Sequence, residues 1–503
     1  MPTYKKSQNI ESIEKDLYSK PESYWLKKGE RKVMKLFQLM SQRVPAYKDF
    51  LKSNKIKPDK IKSVKDFKNI PAVDKNNYLR KYPLEALCWD GELKDHNWVI
   101  STTSGSTGEP FYFPRKKEQD KIYADTAELY LRNNFAIEKY STLYINGFAM
   151  GAWIGGVFTY QAVRYVMERG GYPLSIITPG IFKREIIKSV QKLGPKFDQI
   201  IIGGYPPMIK DMIDDAIREG LDWSKYKLGF IFSAEGFTES FRDYIIQKTG
   251  IRNIYTSTLN HYGTVDLGTM AHETPLSIFI RRFLASRQKV YKTVFNSIFR
   301  FPTFAQYNPA IFYFEEENEN LFCSSFSGLP LVRYDLKDHG GVYTLAGIKR
   351  KLNLNGHDLD QIIQGIDLGK GIWNLPFVYV YERSDFIVKL YGANIYPETV
   401  RKSLQEREFA SFVTGKFTMQ IQFDRTHTQY LEVNIELKES VNETKELKKK
   451  IQKIIMIYLL RENSEYRSNY RESPSRQKPK ILFWPYEDSH FFRPGVKQQW
   501  VRK

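Results

Sequence analysis

The stretch FDQIIIGGYPPMIKDMIDDAIREGLDWSKYKLGFIFSAEG (residues 197–236) reads as strand, helix, strand. FDQIIIGG and LGFIFSAEG are short apolar runs that end in small residues, as buried strands do. Between them, residues 207–219 carry the apolar spacing of a helix. The alternation continues upstream through strands in STLYIN (141–146) and YPLSIIT (172–178) and a helix over 182–193. Strands alternating with helices predict an α/β domain with a substantially parallel sheet. In open sheets of this kind, ligands bind beyond the carboxyl ends of the strands. The Gly/Ser/Asp-rich loops of this chain fall there.

At 503 residues the chain is too long for one typical core, so two or more domains are expected. Residues 32–42 and 118–137 have helical character. IFYFEEENENLFCSSF (311–326) predicts a β-hairpin with its turn in the acidic stretch. The basic segment 277–300 predicts a packed, peripheral helix pair, the alternative being attachment to a membrane surface. A boundary near residues 381–385 opens a second unit. There DFIVKLYGANIYP suggests strand–turn–strand, FTMQIQFDRTHTQYLEVNIEL two more strands, and residues 443–460 an amphipathic helix. The expected fold is therefore a large α/β domain with mixed, substantially parallel sheets over 1–383. A small, mobile α+β domain follows over 384–503. Residues 467–480, with five basic residues, one acidic residue and two prolines, predict a loop.

Composition narrows the function classes. Cys88 and Cys323 are the only cysteines, and the seven histidines show no HExxH or other metal-ligand spacing, which argues against a disulfide framework and a structural zinc site. No secretory signal and no apolar run long enough to span a bilayer are evident, so a cytoplasmic enzyme is expected. The net charge of +20 could attract polyanions. It is widely spread, and no nucleic-acid-binding motif accompanies it.

The string STTSGSTGEP (101–110) packs hydroxyls and glycines behind the apolar NWVI. It suits a loop whose N–H groups and hydroxyls surround an anion, although it lacks the Gly-Lys-Ser/Thr of a Walker loop. With SAEGFTE (233–239), NHYGTVDLG (260–268), LVRYDLKDHG (331–340) and YERSDFIVKLYGANIYPETV (381–400), the chain resembles adenylate-forming enzymes. The resemblance is to the branch of phenylacetate–coenzyme A ligases and CapK-like proteins, from about residue 40 onward.

That resemblance implies an acyl-adenylate made from a carboxylic acid and ATP, with pyrophosphate released. The acyl group then passes to a nucleophile, first of all the thiol of coenzyme A. An amine, sugar or carrier-protein thiol remains open as acceptor. It implies that Ser104, Gly105, Ser106, Thr107 and Gly108 cradle phosphates, Thr107 with a catalytic share. Ala234, Glu235 and Gly236 would flank adenine together with Tyr262 and Gly263. Thr264 would face phosphate, Asp266 would be catalytic and hold Mg²⁺, Asp338 would accept from both ribose hydroxyls, and Arg383 would contact ribose or phosphate. Gly392 would approach the acyl-transfer channel.

Lys497 is the implied adenylation lysine, with Lys480 and Lys503 as competitors. Val265 and Lys337 depart from the family pattern, where a hydroxyl residue and a glycine are usual. Phe148, Met150 and Trp153 are candidate acyl-pocket residues. The expected partners are a small-molecule acid and an acyl acceptor, with no specific nucleic acid and with a homodimer left open. The competing reading is a nucleotide-binding or assembly protein that keeps the fold without catalysis.

Overall fold

The computed structural model describes residues 9–94, 96–103, 110–295, 301–381, 387–404, 406–492 and 500–502. Strands β1 (Val99–Thr102) and β2 (Tyr112–Arg115) form an antiparallel hairpin. The main sheet then collects β3 (Thr142–Asn146), β4 (Leu174–Ile177), β5 (Gln199–Gly204), β6 (Leu228–Phe232), β7 (Thr258–Thr264) and β8 (Gly268–His272). Its remaining strands are β9 (Thr303–Gln306), β10 (Phe312–Glu317), β11 (Asn320–Ser325), β12 (Leu331–Tyr343) and β13 (Phe377–Tyr381). The spatial order is β10-β11-β12-β13-β9-β8-β7-β6-β5-β3-β4. From β4 to β7 every pairing is parallel, and from β7 onward every pairing is antiparallel.

Sequence explains the parallel half. Every residue of β3, β5 and β6 is buried, because crossover helices cover both faces of such a sheet. The helix Pro206–Arg218 starts on two prolines, whose missing N–H groups are no loss in a first turn. Gly220 follows it at φ +84°, a backbone region that L side chains resist. The hairpin expected at 311–326 is β10–β11, with Glu317 paired to Asn320 across its turn. The basic segment is a helix pair, Pro275–Ala285 and Gln288–Phe295. Its apolar face (Leu276, Ile280, Leu284, Val290, Val294) packs with Phe304, Ile348 and Phe377, so packing rather than a membrane covers it.

The small domain opens with the hairpin β14 (Val388–Leu390) and β15 (Ala393–Ile395). It continues with a three-stranded sheet of β16 (Val413–Phe423), β17 (Gln429–Leu437) and β18 (Lys480–Trp484), in which β17 and β18 run parallel. The helix Lys445–Glu462 lies on the crossover between them, burying Leu447, Ile451, Ile455 and Leu459 along one face. Residues 467–480, expected to form a loop, are instead largely the helices Ser464–Glu472 and Pro474–Gln477. Charge counting missed Asn463, whose side chain caps the first of these at Tyr466 N, 2.9 Å. Tyr466 anchors them both by burying its ring and donating to Gln477 O at 2.6 Å. The boundary expected at 383/384 lies outside the described residues. No helix among the described residues is long and apolar enough to cross a membrane.

A buried ionic network fixes the strand at which the sheet changes direction. Arg242 is fully buried and contacts Glu239 at 3.0 Å, both carboxylate oxygens of Glu273 at 2.8 and 2.9 Å, and Thr258 Oγ1 at 2.7 Å. Glu273 also accepts from the Asn260 N–H at 2.8 Å. Arg281 and Arg282 close on Glu239 from the helix Pro275–Ala285. Burial alone would raise the Glu239 carboxyl, but the three guanidinium groups together hold it down at about 2. Removing one partner of such a network strands the others without solvent. Arg242→Met is expected to cost about 3–5 kcal/mol in urea unfolding. A loss below about 1 kcal/mol would show that the network contributes little.

Candidate active site

A cavity of about 760 Å³ opens at the carboxyl ends of β5–β7, between the two domains. Thr102 and Thr103 reach it from the β1–β2 hairpin. There Arg115 Nη1 donates to Ser101 Oγ at 2.5 Å, and Thr102 N donates to Ala152 O at 3.0 Å. The first bond braces the hairpin internally, and the second ties it to the small-residue segment 147–156. Ser104, Gly105, Ser106, Thr107 and Gly108 lie outside the described residues, as do Arg383, Lys497 and Lys503. Lys480 is placed at the start of β18, 3.9 Å from Glu432 and away from the cavity.

Residues 233–236 follow β6 and form one wall. Ala234 holds φ +73°, which turns the chain sharply off the strand end. Its carbonyl accepts from Lys389 Nζ at 2.6 Å. The Glu235 carboxylate accepts from Gln429 Nε2 at 2.8 Å and from the Gly392 N–H. The proposed adenine wall is thus also the surface on which the small domain docks. Gly392 sits at φ +83°, where a Cβ would touch the Tyr205 ring at 3.4 Å.

Strand β7 and its turn form the opposite wall. Tyr262 donates to Asp338 Oδ2 at 2.7 Å, which joins two motifs 76 residues apart at one edge of the cavity. Thr264 Oγ1 accepts from the Leu267 N–H at 3.3 Å. Val265 packs into the apolar cluster beneath the N-terminal region while lining the cavity.

Asp266 is buried. Its Oδ2 accepts from Tyr334 at 2.7 Å, and its Oδ1 lies 3.3 Å from Lys75 Nζ. Oδ1 is buried without a hydrogen-bond partner, the ion pair to Lys75 apart, so this oxygen is the one that fits a Mg²⁺ contact. Among the described residues, no group of three or more His, Cys, Asp or Glu side chains is placed to hold a metal.

Lys75 was not legible from the sequence motifs. Asp74 caps the turn Lys75–Leu79, accepting from the N–H groups of Asn76 and Asn77 at 2.8 and 2.7 Å. Val73 pairs with Tyr334. Docking of this segment on β12 therefore delivers Lys75 to Asp266. Lys337, in the place of a usual glycine, has φ +58°. Ion pairs to Asp335 (2.6 Å) and Asp74 (2.9 Å) hold its side chain in that strained backbone. Of the candidate acyl-pocket residues, Phe148 and Trp153 line the cavity. Met150 instead packs beside Gly156 and Gly180.

His261 and His272 are buried against Tyr130. Burial, aided for His261 by the neighbouring His272, pushes their imidazoles down to about 3 and about 4. Both are therefore neutral near pH 7. The unfolded chain takes up these protons below about 6.5, so their contribution is full above that pH and is lost as pH falls toward 3–4. The maximum slope is about 1.4 kcal/mol per pH unit for each histidine. Urea midpoints are expected to drop between pH 6.5 and 4, and less steeply in His272→Gln. An unchanged slope in that variant would contradict the assignment.

No protein-family model matches the chain. Over 229 residues it is 21% identical to a phenylacetate–coenzyme A ligase of Thermus thermophilus; the match covers 45% of this chain and 48% of that enzyme, about half its length. The structure superposes on that of 2-hydroxyisobutyryl-CoA ligase in complex with 2-HIB-AMP and CoA in the thioesterification state. The TM-score is 0.63 at 13% identity, covering 97% of this chain and 91% of the other. Against the same ligase in the postadenylation state with 2-HIB-AMP, the TM-score is 0.54 at the same identity and coverage. The fold is that of adenylate-forming enzymes.

Proposed function

We propose that the chain is an ATP-dependent acyl-adenylate-forming ligase of the phenylacetate–coenzyme A ligase and CapK-like kind, with the thiol of coenzyme A as first acceptor. The observation that carries this reading is convergence. Segments around residues 102, 235, 262 and 338 meet at one cavity between the two domains of an adenylate-forming fold.

In this reading a substrate carboxylate attacks the α-phosphorus of ATP. The bond to the pyrophosphate leaving group breaks as the acyl–phosphate bond forms. Adenine lies between residues 234–236 and Tyr262. Asp338, oriented by Tyr262, accepts from ribose hydroxyls, and Arg383 contacts ribose or phosphate. Ser104, Gly105, Ser106, Thr107 and Gly108 cradle the phosphates, and Thr264 faces them. Lys75, held by Asp266, places an ammonium at the same end. Asp266 would hold Mg²⁺ through Oδ1, the oxygen without a hydrogen bond, and the ion would supply charge neutralisation at the phosphates. Lys497 stabilises charge as the acyl–phosphate bond forms. Phe148, Trp153 and Phe158 give the acyl group an apolar lining.

The runner-up is a nucleotide-binding protein without catalysis. Val265 favours it, since an apolar side chain replaces a phosphate donor. Acid-dependent exchange of pyrophosphate into ATP, run over a panel of carboxylic acids, decides between the two. Exchange by the wild type is expected, with losses of at least about 100-fold in Lys497→Ala. Lys75→Gln is expected to weaken ATP binding about 10-fold, or about 1.4 kcal/mol, while adenosine binding is unchanged. No exchange with any acid, despite ATP binding, would favour the runner-up.

A further inference from the structure

Glu465 enters the cavity from the small domain, on the helix Ser464–Glu472 that composition reads as loop. Asn463 fixes that helix to β15, its Nδ2 donating to Asn394 O at 2.8 Å. Glu465 is only partly covered where it lines the cavity, and its Oε2 is closed off from bulk solvent. The Asn394 backbone hydrogen-bonds the acid, while Oε2 has no protein partner. A buried carboxyl oxygen left without a partner is costly unless a ligand or proton uses it.

Among the described residues, the titratable groups that interact with it include Lys389 and Tyr205. Lys389 on β14 is committed to Ala234 O. Tyr205, at the start of the helix Pro206–Arg218, has its hydroxyl pushed up by burial and by the acids Glu465 and Glu235. Glu235 itself is held by Gln429 and the Gly392 N–H. Glu465 therefore lines the part of the cavity made by the hairpin β14–β15 and Tyr205. It belongs to that part because the small domain docks on residues 234 and 235.

We propose that Glu465 is the general base of acyl transfer, its carboxylate taking the proton of a thiol acceptor. This rests on the ligase reading above. The thiol S–H proton passes to the Glu465 carboxylate as sulfur attacks the acyl carbon of the adenylate. The C–S bond forms, the C–O bond to AMP breaks, and AMP leaves with that electron pair. Glu465 then returns the proton to solvent. Burial raises the carboxyl to about 7, with Asn394 and Lys389 pulling the other way. That suits removal of a proton from a thiol of ordinary pKa near 8.5. Adenylation involves no such proton, so the two half-reactions separate the role.

The test uses the full chain and the acid that best supports pyrophosphate exchange. Transfer from the preformed enzyme-bound adenylate is followed in single turnovers from pH 5.5 to 9. The acceptors are coenzyme A and, in parallel, hydroxylamine, a neutral nucleophile less dependent on a base. In Glu465→Gln, transfer to coenzyme A is expected to fall about 100-fold or more. The rise in rate through pH 7 should vanish, with exchange and hydroxylamine transfer within about 3-fold of wild type. Glu465→Asp should recover part of the rate and the pH inflection.

Wild-type transfer to coenzyme A by Glu465→Gln, or a retained inflection, overturns the proposal. So does an equal loss of exchange and transfer, which marks a structural role. Absence of exchange in the wild type instead overturns the ligase reading, and the proposal with it.

Discussion

The buried network around Arg242 is the constraint on which the site depends. A guanidinium without solvent needs an opposite charge and satisfied hydrogen bonds, and here Glu239, Glu273 and Thr258 supply them. Glu239 begins the helix after β6, Glu273 follows β8, and Thr258 starts β7. One cation thus sets the spacing of three segments that cannot drift apart without exposing a buried charge. The sheet changes from parallel to antiparallel at β7, and residues 233–238 on one side and 261–266 on the other face a common cavity.

The small domain is held on that cavity by directed contacts as well as apolar packing. Leu390, Ile395 and Ile435 share a cluster with Ile209, Met212 and Phe230 of the large domain. Tyr391 donates to the buried Asp211 at 2.8 Å, and Lys210 donates to Thr428 at 2.7 Å. These contacts link the helix after β5 to the hairpin β14–β15 and to the turn between β16 and β17. The cavity walls therefore come from both domains, and the orientation between them decides which side chains face the cavity.

Much of the fold was legible because periodicity reports burial directly. The runs in β3, β5 and β6, the acidic-turned hairpin β10–β11 and the helix Lys445–Glu462 all lie where apolar spacing put them. The helices at 464–477 were not legible. Their stability comes from an Asn463 cap and from Tyr466 packing against the rest of the small domain, neither visible in a charge count. In the site, Tyr262 and Asp338 were readable as separate motifs, but their hydrogen bond was not. Lys75 carried no motif signal, because its position is created by strand-like pairing of Val73 with Tyr334.

By itself the sequence determined an alternation of buried strands and helices, a second α+β unit, and the short strings that resemble adenylate-forming enzymes. Those features follow from local spacing and composition, which neighbouring residues carry. Tertiary structure alone decided that Asp266 meets Lys75 and Tyr334, that Glu235 meets Gly392 and Gln429, and that Glu465 faces the cavity. Each of these joins side chains from distant segments. Charge pairing and desolvation depend on distances in space, and only the packed chain sets those.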